Sequence, residues 1–474
     1  MSRQLLGQTA AYTFATMISR GATVVMLVVL PAFVSVADYG VLGLVATASS
    51  LVPVLCSLET GQALARYFPT ADTADKARYL RTAWTFTLLM LAAAALLSLA
   101  FSAPLTSALL GPPRLLPTFC AAVLLCSVNT LFLFVQNQFR WEFRATDFVA
   151  TSIVFSVATL VLSLGLMVLL TDPLLGVIVG QAIGAAAGLA VGARRLRGRL
   201  GLAIVPAALR QMLRFSLPLV PASLALFTSA YGSRIILQHI AGLEDLGVFT
   251  WASQLASLPA LLMIGVQGAV TPYVMRHHAE PNCPVLLARG FEAVLAIELT
   301  LCLGLGLLAP YLIEVAGYTD YRAAGPLVVI IAPAALLLQL YVFAPGFAVA
   351  ERNELQLAVS VASAVVVLGA NYLMIGRLGV IGAAWAALLS ASAFLGLWMA
   401  LSQRLYPLPL RVGRLLCLVA TAVAIAVIGT RLPPGGLAQA GVAAALAASL
   451  LGVAVALDLL NLRWVGAFKS AVRG

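Results

Sequence analysis

Apolar residues fill long blocks of this chain, and polar residues gather in short intervals between them. A helix needs roughly 20 apolar residues to cross the hydrocarbon core of a bilayer, and the chain divides into about fourteen blocks of that order. They lie near Ala10–Phe33, Val41–Leu58, Thr82–Phe101, Thr118–Val135, Val149–Leu170, Leu175–Val191, Ser216–Leu237, Val248–Pro272, Phe291–Val315, Ala324–Phe347, Leu355–Ile375, Val380–Gln403, Leu415–Thr430 and Gly436–Leu457. The spacing predicts an all-α, polytopic membrane protein. Its intervals are too short to form a separate soluble core.

The intervals alternate in charge. One set carries most of the basic residues, among them Arg3, Arg66, Arg81, Arg144, Arg195, Arg199, Arg276, Arg352, Arg411 and Arg473; the other holds only Arg114, Arg322, Arg377 and Arg431. Basic loops stay on the cytoplasmic side, which places both termini in the cytoplasm of a plasma membrane.

The chain also repeats. Asp38-Tyr39-Gly40-Val41 before the second block returns as Asp245-Leu246-Gly247-Val248 before the eighth. Phe139 and Arg144 before the fifth return as Phe347 and Arg352 before the eleventh. Leu175-Gly176-Val177-Ile178 at the sixth returns as Leu378-Gly379-Val380-Ile381 at the twelfth. Each half holds an even number of blocks and begins and ends on one side, so the repeat is parallel, about an axis along the membrane normal. Three parts follow: an N-lobe at 1–200, a C-lobe at 201–405 and a terminal helix pair with tail at 406–474. Asp38 and Asp245 are placed to cap the helices they precede. The basic joint from Arg194 to Arg214 reads as an interfacial segment on an anionic leaflet, with a polyanion site as the sharper alternative.

Composition agrees with this picture. Hydrophobic residues make up 62% and charged residues 9%, whereas soluble domains are about a quarter charged. The net charge of +11 resides in short loops, and no basic-aromatic module suggests nucleic acid. Cys56, Cys120, Cys126, Cys302 and Cys417 lie in apolar blocks and Cys283 in an expected loop; none has metal-ligand spacing. His239, His277 and His278 complete a sparse set of catalytic groups. The sequence predicts no enzyme, no catalytic residue, no metal and no cofactor.

Charge at bilayer depth costs about 3 kcal/mol on insertion scales and marks a functional candidate. Two arginines meet that condition: Arg20 in the first block and Arg234 in the seventh, at corresponding places in the two halves. Either could face a central cavity, or snorkel to an interface. Gln254 and Gln267 in the eighth block could contact a hydroxylated substrate, or bond neighbouring helices. Glu292 and Glu298 are too far out of phase to share one helix face; Glu298 is the deeper and is the candidate proton or cation site.

Ser19-Arg20 followed by Asp38-Tyr39-Gly40-Val41, Ser233-Arg234 followed by Glu244-Asp245-Leu246-Gly247-Val248-Phe249, and Leu378-Gly379-Val380-Ile381-Gly382-Ala383-Ala384 together resemble the O-antigen-type oligosaccharide and polysaccharide flippases. These belong to the multidrug/oligosaccharidyl-lipid/polysaccharide exporter superfamily. The resemblance spans nearly the whole chain. Relatives often carry an acid just before the seventh-helix arginine, where this chain has Ser233. The resemblance implies that a polyprenyl-diphosphate-linked glycan is flipped between leaflets of the bacterial inner membrane for surface polysaccharide synthesis. It also implies membrane lipids and polysaccharide polymerase or export proteins as partners. Arginine suits the diphosphate. A cation-coupled exporter of the same superfamily and a peptidoglycan-precursor flippase are the rival readings.

Overall fold

The computed structural model describes residues 17–68, 71–142, 144–350, 352–431 and 436–460. Both chain ends, with Arg3, Arg463, Lys469 and Arg473, lie outside the described residues, as does the start of the first apolar block. The fold is helical, and over its described residues each apolar block read from the sequence is mainly helix, with interruptions in the eighth and tenth. In chain order these are α1 (Met17–Ala32), α2 (Val36–Ser57), α3 (Thr60–Tyr67), α4 (Thr73–Ala100), α5 (Ser102–Leu109), α6 (Leu116–Trp141), α7 (Ala145–Leu169), α8 (Pro173–Arg195), α9 (Pro206–Ser216), α10 (Val220–Ala256), α11 (Leu261–His277), α12 (Cys283–Val315), α13 (Gly325–Leu337), α14 (Gly346–Val349), α15 (Asn353–Leu405), α16 (Val412–Gly429) and α17 (Gly436–Ala456). Among the described residues, ten helical spans are long and apolar enough to cross a membrane. Several helices outrun their apolar block at a polar end. α4 starts at Thr73 because Asp72 caps it through the Asp75 N–H.

The expected connections between the seventh and eighth blocks, and between the eleventh and twelfth, are sharp turns and not loops. α10 and α15 each contain one non-helical residue, Gly242 (φ 90°) and Gly379 (φ 59°). Glycine occupies positive φ without the penalty a Cβ imposes. Arg377, read as a loop residue, is therefore helical. Asp38 is not the cap of α2. Ser35 is, accepting from the Asp38 N–H at 3.2 Å, while Asp38 lies in the first turn near the positive helix end.

The chain forms two compact units, Met1–Phe227 and Thr228–Gly474. In the first, α8 packs along α7 through Gly176, Gly180 and Gly184, and the same every-fourth-residue face continues at Gly188 and Gly192, which also meet Phe132 and Val135 of α6. A Cβ on Gly176 or Gly180 would lie 2.6 Å from the carbonyl carbon of Leu166 or Leu162. Backbones this close gain packing that lipid tails cannot match. At the basic end, Arg144 sits between Glu142 and Asp147, which also hold Arg199 and Arg195. Arg81 donates to the Gly198 carbonyl at 3.0 Å. The joint is thus folded back onto its own unit, and two of its arginines are already engaged by carboxylates. Its amphipathic α9 buries Ala208 and Met212 against Leu64, Tyr79 and Leu80.

In the second unit α12 is central, with α13, α16 and α17 packed on it. Cys283, expected in a loop, is its first residue and is buried. The repeat persists in the backbone. Arg144 N–H donates to Phe139 O at 2.9 Å and Arg352 N–H to Phe347 O at 2.9 Å. Both arginines precede a helix with nearly the same backbone angles (φ −90°, ψ 67° and φ −94°, ψ 65°).

Candidate functional site

Arg20 lies on α1, exposed, one residue after the contact that seats this helix. The Ser19 and Ser156 hydroxyls are 2.7 Å apart and join α1 to α7. Successive helix residues point about 100° apart, so the docked serine turns Arg20 away from α7. Among the described residues Arg20 makes no ion pair.

Arg234 is half-buried on α10 before the Gly242 turn. Its guanidinium lies over the Tyr231 ring, 5.1 Å from the centroid, a cation–π contact that offsets part of its desolvation. Gly232 on the same stretch is buried beside Val367 and Leu368 of α15. Arg20 and Arg234 belong to different units.

Gln254 and Gln267 flank a break in the eighth transmembrane helix. α10 ends at Ala256 and α11 starts at Leu261, around Pro259, which cannot donate to the helical ladder. The Gln254 carbonyl accepts from Ser257 Oγ at 2.7 Å and from Ser257 N–H at 3.2 Å, closing the first half. Gln267 is half-buried and its Nε2 donates to Gln339 Oε1 at 3.5 Å. The structure so brings Gln267 together with Gln339, but not with Glu298.

Glu298 is fully buried on α12, and neither carboxyl oxygen has a hydrogen-bond partner among the described residues. Glu292, six residues earlier, is equally buried but fully engaged. It receives Arg411 Nε at 3.1 and 3.0 Å, Arg411 Nη2 at 2.5 Å and the Arg411 backbone N–H at 3.0 Å, with Arg289 at 3.4 Å. Arg411 also bonds Asp458 at 2.8 Å, which Arg414 reaches at 3.3 Å. This network fastens the start of α16 and the end of α17 to α12, so Glu292 is structural and Glu298 is the carboxyl left over.

Of the three histidines, the adjacent His277 and His278 have local contacts, the first through its ring and the second through its backbone. His277 stacks on Tyr273 at 4.5 Å, and the His278 carbonyl accepts from the Tyr406 hydroxyl at 3.0 Å. Among the described residues no group of three His, Cys, Asp or Glu could hold a metal.

Sequence reasoning missed a feature of the tenth transmembrane helix. α13 stops at Leu337, a 3₁₀ turn follows at Leu340–Phe343, and α14 is one turn long. Tyr341 in that turn is 38% exposed and rests against Trp398 at 5.0 Å and Phe394 at 6.2 Å. The signal was Pro345-Gly346 inside an apolar block, a pair that breaks helices.

The profile of the polysaccharide biosynthesis protein family matches residues 5–278. A lipid II flippase, MurJ, in an inward closed conformation superposes with a TM-score of 0.69 at 12% identity, over 94% of this chain and 97% of that one. An inward-facing multidrug resistance MATE transporter superposes at 0.61 with 15% identity, over 85% and 94%. A transporter of the same superfamily from Pyrococcus furiosus superposes at 0.52 with 13% identity, over 84% and 95%. These likenesses establish the fold. No curated protein matches the chain in sequence.

Proposed function

The chain belongs to the polysaccharide biosynthesis protein family, and from that premise we propose that it is a flippase for a polyprenyl-diphosphate-linked oligosaccharide. It moves this substrate from the cytoplasmic to the outer leaflet of a bacterial plasma membrane, by alternating access of its two lobes. The observation that carries the reading is Arg20. It is exposed and without an ion pair among the described residues, on a helix whose neighbouring serine is docked. A cation held at such depth without a carboxylate suits an anionic substrate group. Guanidinium binds diphosphate oxygens in a bidentate fork.

Arg234 is the second anionic contact, braced by Tyr231. Gln254 and Gln267 contact sugar hydroxyls, and Glu298 is the coupling site. An ionised carboxyl in its position lacks any partner to offset desolvation. Glu298 therefore exchanges a proton or cation only when the surrounding helices rearrange. The lipid tail stays in the bilayer throughout. Chemistry is not required of the protein, and polymerase or export proteins take the product on the far side.

Deleting the gene and measuring lipid-linked glycans by mass spectrometry tests the reading. Polyprenyl-diphosphate glycans accumulate and the matching surface polysaccharide disappears, and restoring the gene reverses both. An unchanged lipid pool with reduced tolerance of a toxic organic cation would instead make it an exporter. Rescue of a strain depleted of its peptidoglycan-precursor flippase would make it a lipid II carrier.

A further inference from the structure

The break in the tenth transmembrane helix is built, and it carries a polar and aromatic surface that the diphosphate contacts leave unexplained. A helix interrupted at membrane depth frees backbone groups that must find partners within the protein. Here the second half of α15 supplies them. Trp398 Nε1 donates to the Ala344 carbonyl at 3.0 Å, and the Gly346 N–H donates to Ser402 Oγ at 2.9 Å. Glycine is required at 346, because a Cβ there would stand 2.5 Å from the Ser402 carbonyl oxygen. Phe347 is buried edge-on to Trp398 at 4.8 Å. The interruption is thus held by three contacts, all to the second half of α15.

Its surface holds Gln339 directly before the turn and Tyr341 within it. Gln339 meets Gln267 of α11 through one long amide bond of 3.5 Å, and both glutamines are half-buried. Gln267 Oε1 and Gln339 Nε2 make no further hydrogen bond among the described residues. One acceptor and one donor therefore stand side by side, and two residues after Gln339 the exposed Tyr341 ring is fixed by Phe394 and Trp398. A sugar ring has hydroxyls that both donate and accept, and a C–H face that packs on an aromatic ring. Few other parts of a lipid-linked glycan need both. The diphosphate would want cations, and the polyprenyl tail would want neither amide.

We propose that Gln267, Gln339 and Tyr341 form a subsite on the second lobe for a sugar ring of the substrate, separate from the arginines that take the diphosphate. This rests on the flippase reading. It makes the second lobe the part that reads the glycan, and its exposed tyrosine the residue that tells a glycosylated carrier from a bare one.

Binding of two probes to the purified full-length protein tests it by native mass spectrometry. One probe is undecaprenyl diphosphate; the other is the polyprenyl-diphosphate oligosaccharide extracted from the deletion strain. Wild type binds the glycosylated probe about tenfold more tightly, since a site built to hydrogen-bond a hydroxyl discriminates against a ligand lacking it. Gln267→Leu, close in volume, and Tyr341→Ala each bring the two affinities to within about twofold and leave the bare probe's affinity unchanged. Tyr341→Phe keeps the ring and most of the preference, which separates a lost stacking surface from a misfolded turn. A wild-type preference retained in both Gln267→Leu and Tyr341→Ala overturns the subsite and leaves the flippase reading standing. Equal wild-type affinity for the two probes also overturns it. Failure of wild type to bind either probe removes the flippase reading itself.

Discussion

A Cβ placed on Gly184 would lie 2.6 Å from the Cα of Thr159, so α7 and α8 touch backbone to backbone at this point. No flexible side chain can yield there. Gly184→Leu must push the helices apart and forfeit the packing along their whole length, an overpacking cost of about 1–3 kcal/mol or more. Fluorescence-detected size exclusion will show loss of the monodisperse peak. Gly165→Leu on α7, where a Cβ meets nothing within 4 Å, will leave the peak intact.

Arg20→Ala abolishes export while the protein inserts normally, because Arg20 contributes no ion pair to the fold among the described residues. Lysine keeps the charge but not the fork, so Arg20→Lys retains a fraction, with a loss of about tenfold or ~1.4 kcal/mol. Surface polysaccharide measured against protein level in the membrane reads both. Full export by Arg20→Ala would remove this arginine from the mechanism.

The two buried glutamates of α12 should separate cleanly. Glu298→Gln leaves thermal stability unchanged or higher, because the carboxyl has no partner to lose, and it removes the dependence of transport on a proton or cation gradient. Glu292→Gln costs about 3–5 kcal/mol, since it removes the buried carboxylate of Arg411 and leaves that arginine only the exposed Asp458. Melting curves and gradient-driven uptake in vesicles distinguish them.

The end of α17 should respond to acid. Hydrogen bonding from Arg411, aided by Arg414, holds the Asp458 carboxyl below the usual carboxylate range. A depressed folded-state value gives stability that is present above about pH 3.9, the ordinary aspartate value, and is lost as pH falls through the folded value. Hydrogen exchange in the last turn of α17 therefore quickens in acid. Asp458→Asn produces the same local rise at neutral pH without changing exchange in α7 and α8.

Helices and their order were legible because a membrane span is a local property: about 20 apolar residues satisfy their own backbone bonds. The repeat was legible for the same reason, since Arg144 and Arg352 each close a turn with a residue five positions back. What escaped was any feature that depends on a distant partner. The glycines of α8 look like ordinary small residues until α7 is laid against them. Pro345 marks a kink in the sequence, but only Trp398 and Ser402, more than fifty positions away, make the break a fixed surface.

The candidate site divides along the same line. Sequence alone showed a many-helix membrane protein and singled out Arg20, Arg234 and Glu298 inside apolar blocks, because inserting a charge is costly wherever it occurs. Tertiary structure decided what each charge touches. It spent Glu292 on Arg411 and left Glu298 alone, and it set Arg234 over Tyr231 while turning Arg20 outward beside a docked serine. Pairing is a matter of a few ångströms between residues far apart in the chain, and no local pattern of hydrophobic and polar positions encodes that distance.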